Sequence, residues 1–393
     1  MTPIRRLPPT LVNRIAAGEV VERPAAVVKE LVENAVDAGA QRVDIDLADS
    51  GRSRIRVRDD GHGMDADALP LAVERHATSK LADDDLVHLR FLGFRGEALP
   101  SIAAVARLTL TSRTAAAEHA WALDVDFGTV AAPRPAAGPR GSEVVVRDLF
   151  QATPARLKFL RSERAELQAV GDTVRRLALA HPEVAFGLEH DERGLFDVTA
   201  ADRCERARTV VGRALDDAVH VVGERDDVTL EAFCGLPTAA ARSARQQYLV
   251  VNGRPVTDRM LQGALRAAYQ DVIPSDRHAV AVVFLEVEAD AVDVNVHPAK
   301  AEVRFRDAGA VRGLLVGAIK RALAADGRQT ARTVSTAALG AFRGPAGPSP
   351  TGPTPRSAAW TTAPRAPSLG LAEARATYGD PAPGATAGPT AGP

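Results

Sequence analysis

The sequence predicts an α+β protein: two α+β domains, residues 1–204 and 205–330, followed by a disordered tail over residues 331–393. Three observations predict it. Helical periodicity and two-residue alternation are interleaved along the chain rather than confined to separate halves. A length of 393 residues exceeds one ordinary core, and 46% hydrophobic residues suffice to fill two. From residue 331 the composition turns to proline, glycine and alanine with hardly an apolar cluster. Such a stretch cannot offset its own chain entropy.

The elements follow in order. Apolar residues recur at helical spacing from Pro24 to Ala38, with proline suited to the first turn and Gly39 to the stop. Val43–Leu47 and Ile55–Arg58 alternate with period two around a turn containing Ser50 and Gly51. Further strands are expected at Leu108–Ser112, Ala120–Val125 and Glu143–Val146. A helix is expected to open near Gly96 and run through Val105, and a long one to cover Pro154 through Ala180. The second block offers strands around Thr229–Cys234, Tyr248–Val251, Val280–Val287 and Val292–Val294, with helices near Asp258–Gln270 and Ala308–Ala324. Asn252-Gly253 marks a turn.

Composition narrows the function classes. Basic and acidic residues number 49 and 50, for a net charge of -1, so any nucleic-acid contact must be a local patch. Two cysteines, Cys204 and Cys234, make neither a disulfide framework nor a zinc cluster, and a reducing, intracellular setting is expected. The longest apolar run, Ala279–Leu285, is far short of a membrane span. Arginine is the default cation, and lysine stands only at Lys29, Lys80, Lys158, Lys300 and Lys320. Each lysine hints at a site where a compact ammonium suits better than a guanidinium fork, with drift as the alternative.

Four strings carry candidate chemistry. Glu30, Asn34 and Asp37 fall at i, i+4 and i+7 of the first helix, hence on one stripe. A carboxylate there can deprotonate water and an amide oxygen can hold a hard cation; a solvated polar face with Lys29 and Glu33 is the plainer alternative. Strand alternation puts Asp59 on the buried face with Ile55 and Val57, where a carboxylate needs donors, such as a purine amino group. Asp60 faces the other way, and Gly61 and Gly63 let a flat ligand approach; an ordinary turn is the alternative. In His76-Ala77-Thr78-Ser79-Lys80 and Gly93-Phe94-Arg95-Gly96-Glu97, hydroxyls, an ammonium and helix-terminal amides suit phosphate. The chain has neither a P-loop nor a dinucleotide fingerprint. Lys300, after a strand and Pro298, could reach a terminal phosphate or stand on the surface; His62, His76 and His297 are unpaired for metal binding.

Together these strings resemble the MutL family of DNA mismatch-repair proteins. The matching stretches are Ile15–Pro24, Lys29–Ala40, Asp59–Met64, His76–Lys80, Leu92–Leu99 (LGFRGEAL), Pro154–Leu160, Val251–Arg254 and Val292–Lys300 (VDVNVHPAK), in the family's order over roughly residues 1–325. The resemblance implies a Bergerat-type ATP-binding α/β sandwich, shared with gyrase B subunits, heat-shock chaperones and histidine kinases. A smaller, ribosomal-protein-S5-like α/β domain follows. It implies ATP and Mg2+ as cofactors, with Glu30 as general base, Asn34 as metal ligand beside Asp37, and Asp59 reading adenine next to Gly63. Ser142 matches a small hydroxyl residue near the base. Thr78, Ser79, Gly93, Phe94, Arg95 and Gly96 fall in the lid, and Lys300 senses the γ-phosphate.

The resemblance also implies slow turnover, ATP-dependent homodimerisation, and partners: a MutS-type mismatch sensor, DNA, and a repair helicase or nicking endonuclease. A bacterial-type cytoplasmic location, at the nucleoid when active, goes with these. Arg254, Arg259 and Arg266 are the candidate DNA contacts, with a solvated face as the alternative. Two departures stand out: Asp60 and His62 replace the family's usual Asn and small residue. Nothing after residue 331 reads as a dimerisation or nuclease domain, so no nuclease is expected in these residues, and the natural protein is expected to continue past Pro393. A topoisomerase subunit, a chaperone and a scaffold that binds ATP without cleaving it are the competing readings.

Overall fold

The computed structural model describes residues 8–78, 80, 92, 96–293 and 302–341, with side chains at 9, 10, 19 and 327–341 excepted. These residues lie in the compact unit Met1–Ala337, apart from the last turn of the final helix.

Helices α1 (Pro9–Val20) and α2 (Pro24–Asp37) lead into strands β1 (Arg42–Ala48) and β2 (Arg54–Asp59). Pro24 opens α2 as expected, and Gly39, at φ +70°, closes it two residues after Asp37. Short α3 (Ala68–Ala72) and α4 (Ala98–Val105) precede β3 (Arg107–Arg113), β4 (Ala120–Asp126), β5 (Thr129–Val130), β6 (Arg134–Ala136) and β7 (Gly141–Arg147). Helices α5 (Pro154–Lys158) and α6 (Glu163–Ala180) lead to the hairpin β8 (Ala185–His190) and β9 (Arg193–Val198).

These strands form one sheet in the order β5-β4-β3-β7-β2-β1-β8-β9, with β6 on β4; all pairs are antiparallel except β1 with β8. Alternation makes it two-faced. Val43, Ile45, Leu47, Ile55 and Val57 are buried with Val27, Val28, Leu31 and Val32 of α2 in one core. On the opposite face Asp46 pairs with Arg54, and Asp44 with Arg42.

Helix α7 (Arg203–Val211) joins this body to a second sheet built from β10 (Val219–Arg225), β11 (Val228–Cys234), β12 (Gln247–Val251), β13 (Arg254–Val256) and, after α8 (Arg259–Tyr269), β14 (Ala281–Val287). Its order is β10-β11-β14-β12-β13. Strands β15 (Val292–Asp293) and β16 (Arg304–Phe305) pair before α9 (Ala308–Ala341). The second core combines Leu230, Val283 and Leu285 with Leu261 and Leu265 of α8 and Leu315 and Ile319 of α9. Within it, burial pushes the Cys234 thiol up to about 12. Among the described residues no helix is long and apolar enough to cross a membrane.

Three differences from the sequence expectations are physical. The helix expected from Pro154 to Ala180 is broken between Lys158 and Glu163. Ser162 is extended, at ψ 151°, and the buried Glu166 accepts from the Arg161 amide at 2.9 Å and pairs with Arg23 at 2.9 Å. The expected boundary between 204 and 205 falls inside α7. There the buried Arg206 donates to the carbonyls of Ala178, His181, Pro182, Val184 and Thr199, tying the end of α6 to the junction. The last helix continues past the composition change at 331, to Ala341.

Candidate nucleotide-binding site

A cleft of about 990 Å³ opens between α2, the end of β2, β7 and the segments before α4. Its floor is apolar, with Leu31, Ala35, Leu110 and Val144 among the lining residues, and its polar groups fall into two sets.

The first set surrounds Asp59. Because β2 alternates, Asp59 follows the buried Ile55 and Val57 on the inner face, as expected. Its Oδ1 accepts from the Gly61 amide at 2.9 Å and the Ser142 amide at 3.2 Å. Burial raises its pKa; the two amides oppose that but do not cancel it. Ser112, which the sequence reading passed over, braces the neighbouring turn. Its buried hydroxyl donates to Gly141 O at 3.0 Å, accepts from Met64 N at 2.8 Å and lies 2.8 Å from Ser142 Oγ. All three capacities of one hydroxyl are thereby used. The only advance signal was a serine at an inward position of an alternating strand. Gly63 has φ +71°, and a Cβ there would overlap Arg113 O, so the backbone crosses at a distance only glycine permits.

Asp60 is exposed, and its Oδ1 accepts from the amides of Gln41 and Arg42 at 2.7 and 2.9 Å, at the start of β1. This departure serves the strand rather than the cleft. His62 is exposed and lines the cleft, with Nδ1 2.7 Å from Gly63 O.

The second set lies along α2. Glu30, Asn34 and Asp37 all line the cleft, so the stripe read from their spacing is present. It is not a solvated face: Glu33 is 4% exposed. Lys29 bridges Glu33 at 2.7 Å and Glu30 at 3.2 Å. Burial would push the Lys29 ammonium down, yet the two carboxylates outweigh it and hold its pKa up. Lys80 donates to Asn34 Oδ1 at 2.8 Å and Asp37 Oδ2 at 2.5 Å, while the Leu92 amide donates to Asp37 Oδ1 at 2.8 Å. Thr78 and Gly96 line the same end, and Thr78 Oγ1 accepts from the Lys80 amide at 3.1 Å. Ser79, Gly93, Phe94, Arg95 and Lys300 lie outside the described residues.

The three arginine candidates separate. Arg259 and Arg266 are exposed on the outer face of α8, one heptad apart. Arg254 is 6% exposed, which corrects its grouping with them: its Nη1 donates to Leu92 O at 2.9 Å. Burial lowers its pKa, with Glu33, Asp37 and Glu30 opposing. A guanidinium so enclosed is not presented to a DNA phosphate.

The donor chemistry suits a magnesium ion. Asn34 and Asp37 present hard oxygen atoms, and a cation, the Lys80 ammonium, already rests between them. Among the described residues no cluster of three His, Cys, Asp or Glu could hold a metal.

Residues 22–136 match the family described as histidine kinase-, DNA gyrase B- and HSP90-like ATPase. A solved structure titled the N-terminal domain of a DNA repair protein shares the fold, with TM-score 0.69 and 22% identity over 80% of this chain and 98% of that one. The ATPase domain of Aquifex aeolicus MutL complexed with ADP matches with TM-score 0.55 and 26% identity over 75% of this chain and 98% of that one. Fold and cleft thus define an ATPase domain of the gyrase, HSP90 and histidine-kinase class. Residues 207–324 match the DNA mismatch repair protein C-terminal domain, and the chain is 58% identical to MutL of Paramagnetospirillum magneticum over 348 residues, 87% of this chain. The chain belongs to the MutL family of DNA mismatch-repair proteins. It spans 57% of that relative's length.

Proposed function

We propose that this chain is the nucleotide-operated switch of mismatch repair, binding magnesium-ATP in the cleft and hydrolysing it slowly. The observation that carries the proposal is the convergence in one cleft of Asp59, held by two amides, with Glu30, Asn34 and Asp37 along one helix face. That a relative's ATPase domain is described as complexed with ADP supports it.

In this reading Asp59 accepts from the adenine amino group, Gly63 leaves room for the base, and Ser142 holds the carboxylate through its amide. Asn34, with Asp37, holds magnesium, which when bound neutralises phosphate charge. Glu30 takes the proton from the attacking water, and Lys29 keeps the carboxylate row ordered without withdrawing it from the cleft. Thr78, Ser79 and Gly93 to Gly96 cover the phosphates, and Lys300 contacts the terminal one.

ATP binding would bring two copies together and couple a MutS-type mismatch sensor to a repair helicase or nicking endonuclease, in a bacterial cytoplasm and at the nucleoid. DNA would be held by a local patch that includes Arg259 and Arg266. The domains are taken as the nucleotide-binding body before α7 and the smaller body from α7 through α9. Sedimentation with and without a non-hydrolysable ATP analogue tests the switch: a nucleotide-dependent shift from monomer to dimer is expected, and an unchanged monomer at saturation would refute it.

A further inference from the structure

We infer that Lys80 occupies the metal position when nucleotide is absent, so that magnesium-nucleotide binding is a cation exchange in which the Lys80 ammonium is expelled from between Asn34 and Asp37. The inference rests on the metal-nucleotide reading above and adds a residue to which no role in metal binding has been given.

The geometry is that of a cation site. Nζ lies 2.8 Å from the Asn34 amide oxygen and 2.5 Å from Asp37 Oδ2, one turn apart on α2. The pair is shielded, with the Asp37 side chain 5% and the Lys80 side chain 20% exposed. The position is set by backbone as well as side chain, since the Lys80 amide is held by Thr78 Oγ1 at 3.1 Å. The carboxylate row is shared between two lysines: Lys29 takes Glu30 and Glu33, and Lys80 takes the oxygens suited to metal.

Exclusion follows from size and charge. A magnesium ion binds oxygen at about 2.0–2.1 Å. The Asn34 and Asp37 oxygens that would hold such an ion are the two that already hold Nζ, so ion and ammonium compete for one position in a shielded cleft, where like charges repel strongly. Lysine suits this task where arginine would not, because a compact ammonium can stand in for a metal ion and leave, whereas a planar fork fills more space. In a chain that otherwise uses arginine, that is a physical reason for this lysine.

The exchange predicts a specific thermodynamic signature. Without metal, Lys80 can stay and offset the triphosphate charge; with metal it must go. Replacing it removes the competitor only in the second case. Calorimetry would measure the affinity of a non-hydrolysable ATP analogue in saturating magnesium and in EDTA, for the parent chain, Lys80→Met and Lys80→Gln. We expect the magnesium-to-EDTA affinity ratio to rise about tenfold in both variants, the size of one charge-assisted contact. The magnesium midpoint at fixed nucleotide should fall accordingly. A ratio equal to the parent's, with affinity altered by the same factor in both conditions, would show a plain nucleotide contact or a packing role and overturn the inference. A parent chain that binds no analogue in either condition would instead overturn the metal-nucleotide reading itself.

Discussion

The Ser142 amide donates to Asp59 Oδ1 at 3.2 Å across the β2–β7 pair, where the two residues are register partners. A carboxylate on the inner face of a sheet is thus fixed by the next strand, and Gly61 adds a second donor to the same oxygen. Asp59 itself lines the cleft.

Burial raises the Asp59 pKa, and the sign of the consequences differs for folding and binding. A raised carboxyl pKa contributes stability that is full below the unfolded value and lost as pH rises through the folded value. At neutral pH ionised Asp59 is therefore a cost, and Asp59→Asn should leave the melting temperature unchanged or slightly higher. In the proposed role the ionised form accepts from adenine, so affinity should begin to fall on acidification at a higher pH than for an ordinary aspartate. Asp59→Asn should lose about tenfold to a hundredfold in nucleotide affinity. Melting curves and titrations across pH check both; a destabilised variant with normal affinity would contradict the assignment.

Glu30→Gln should retain nucleotide affinity within a factor of about two while turnover falls about a hundredfold or more, the range expected for loss of a general base. Glu30 is half-buried beside Lys29, so the neutral isostere leaves the helix face intact. A phosphate-release assay run beside a binding titration decides it, and parental turnover would remove Glu30 from the role.

Arg206 is 1% exposed and donates to five backbone carbonyls where α6 ends and α7 begins. Arg206→Met would strand those acceptors in the interior, each unsatisfied group costing about 1–3 kcal/mol. Denaturant unfolding should show a loss on the order of 3 kcal/mol. A loss within error of zero would show that the carbonyls find other partners.

Arg259 and Arg266 share the exposed face of α8, whereas Arg254 is enclosed against Leu92. Charge reversal at either exposed arginine should flatten the salt dependence of DNA binding by about one unit of slope. Arg254→Gln should leave that slope unchanged. Filter binding across a salt series separates the two outcomes, and an Arg254-dependent slope would contradict the burial argument.

Most of the site was legible because it sits on periodic elements. Glu30, Asn34 and Asp37 share a helix stripe and Asp59 follows two inward residues of a strand, so period puts each on its face, while their roles rest on the family resemblance. Less legible were features that depend on distant chain. Helix α1 escaped because Leu11, Val12 and Ile15 are 40%, 44% and 59% exposed, so its apolar residues do not trace a buried face. The β8–β9 hairpin escaped because its turn uses Asp191 and Glu192 at φ 48° and 64°, without the glycine or asparagine that usually signals such a turn. The break before α6 depends on Arg23 meeting Glu166, and the enclosure of Arg254 on Leu92, pairs far apart in sequence.

In the proposed function the cleft between α2 and the β2–β7 pair binds an adenine nucleotide through Asp59. The decisive experiment is calorimetric titration of the 393-residue chain with a magnesium-loaded, non-hydrolysable ATP analogue, repeated on Asp59→Asn. Saturable heat at one site per chain is expected for the parent, with affinity reduced about tenfold or more for the variant. No binding heat from folded parent protein, or equal affinity in the two, would remove Asp59 and this cleft from nucleotide binding.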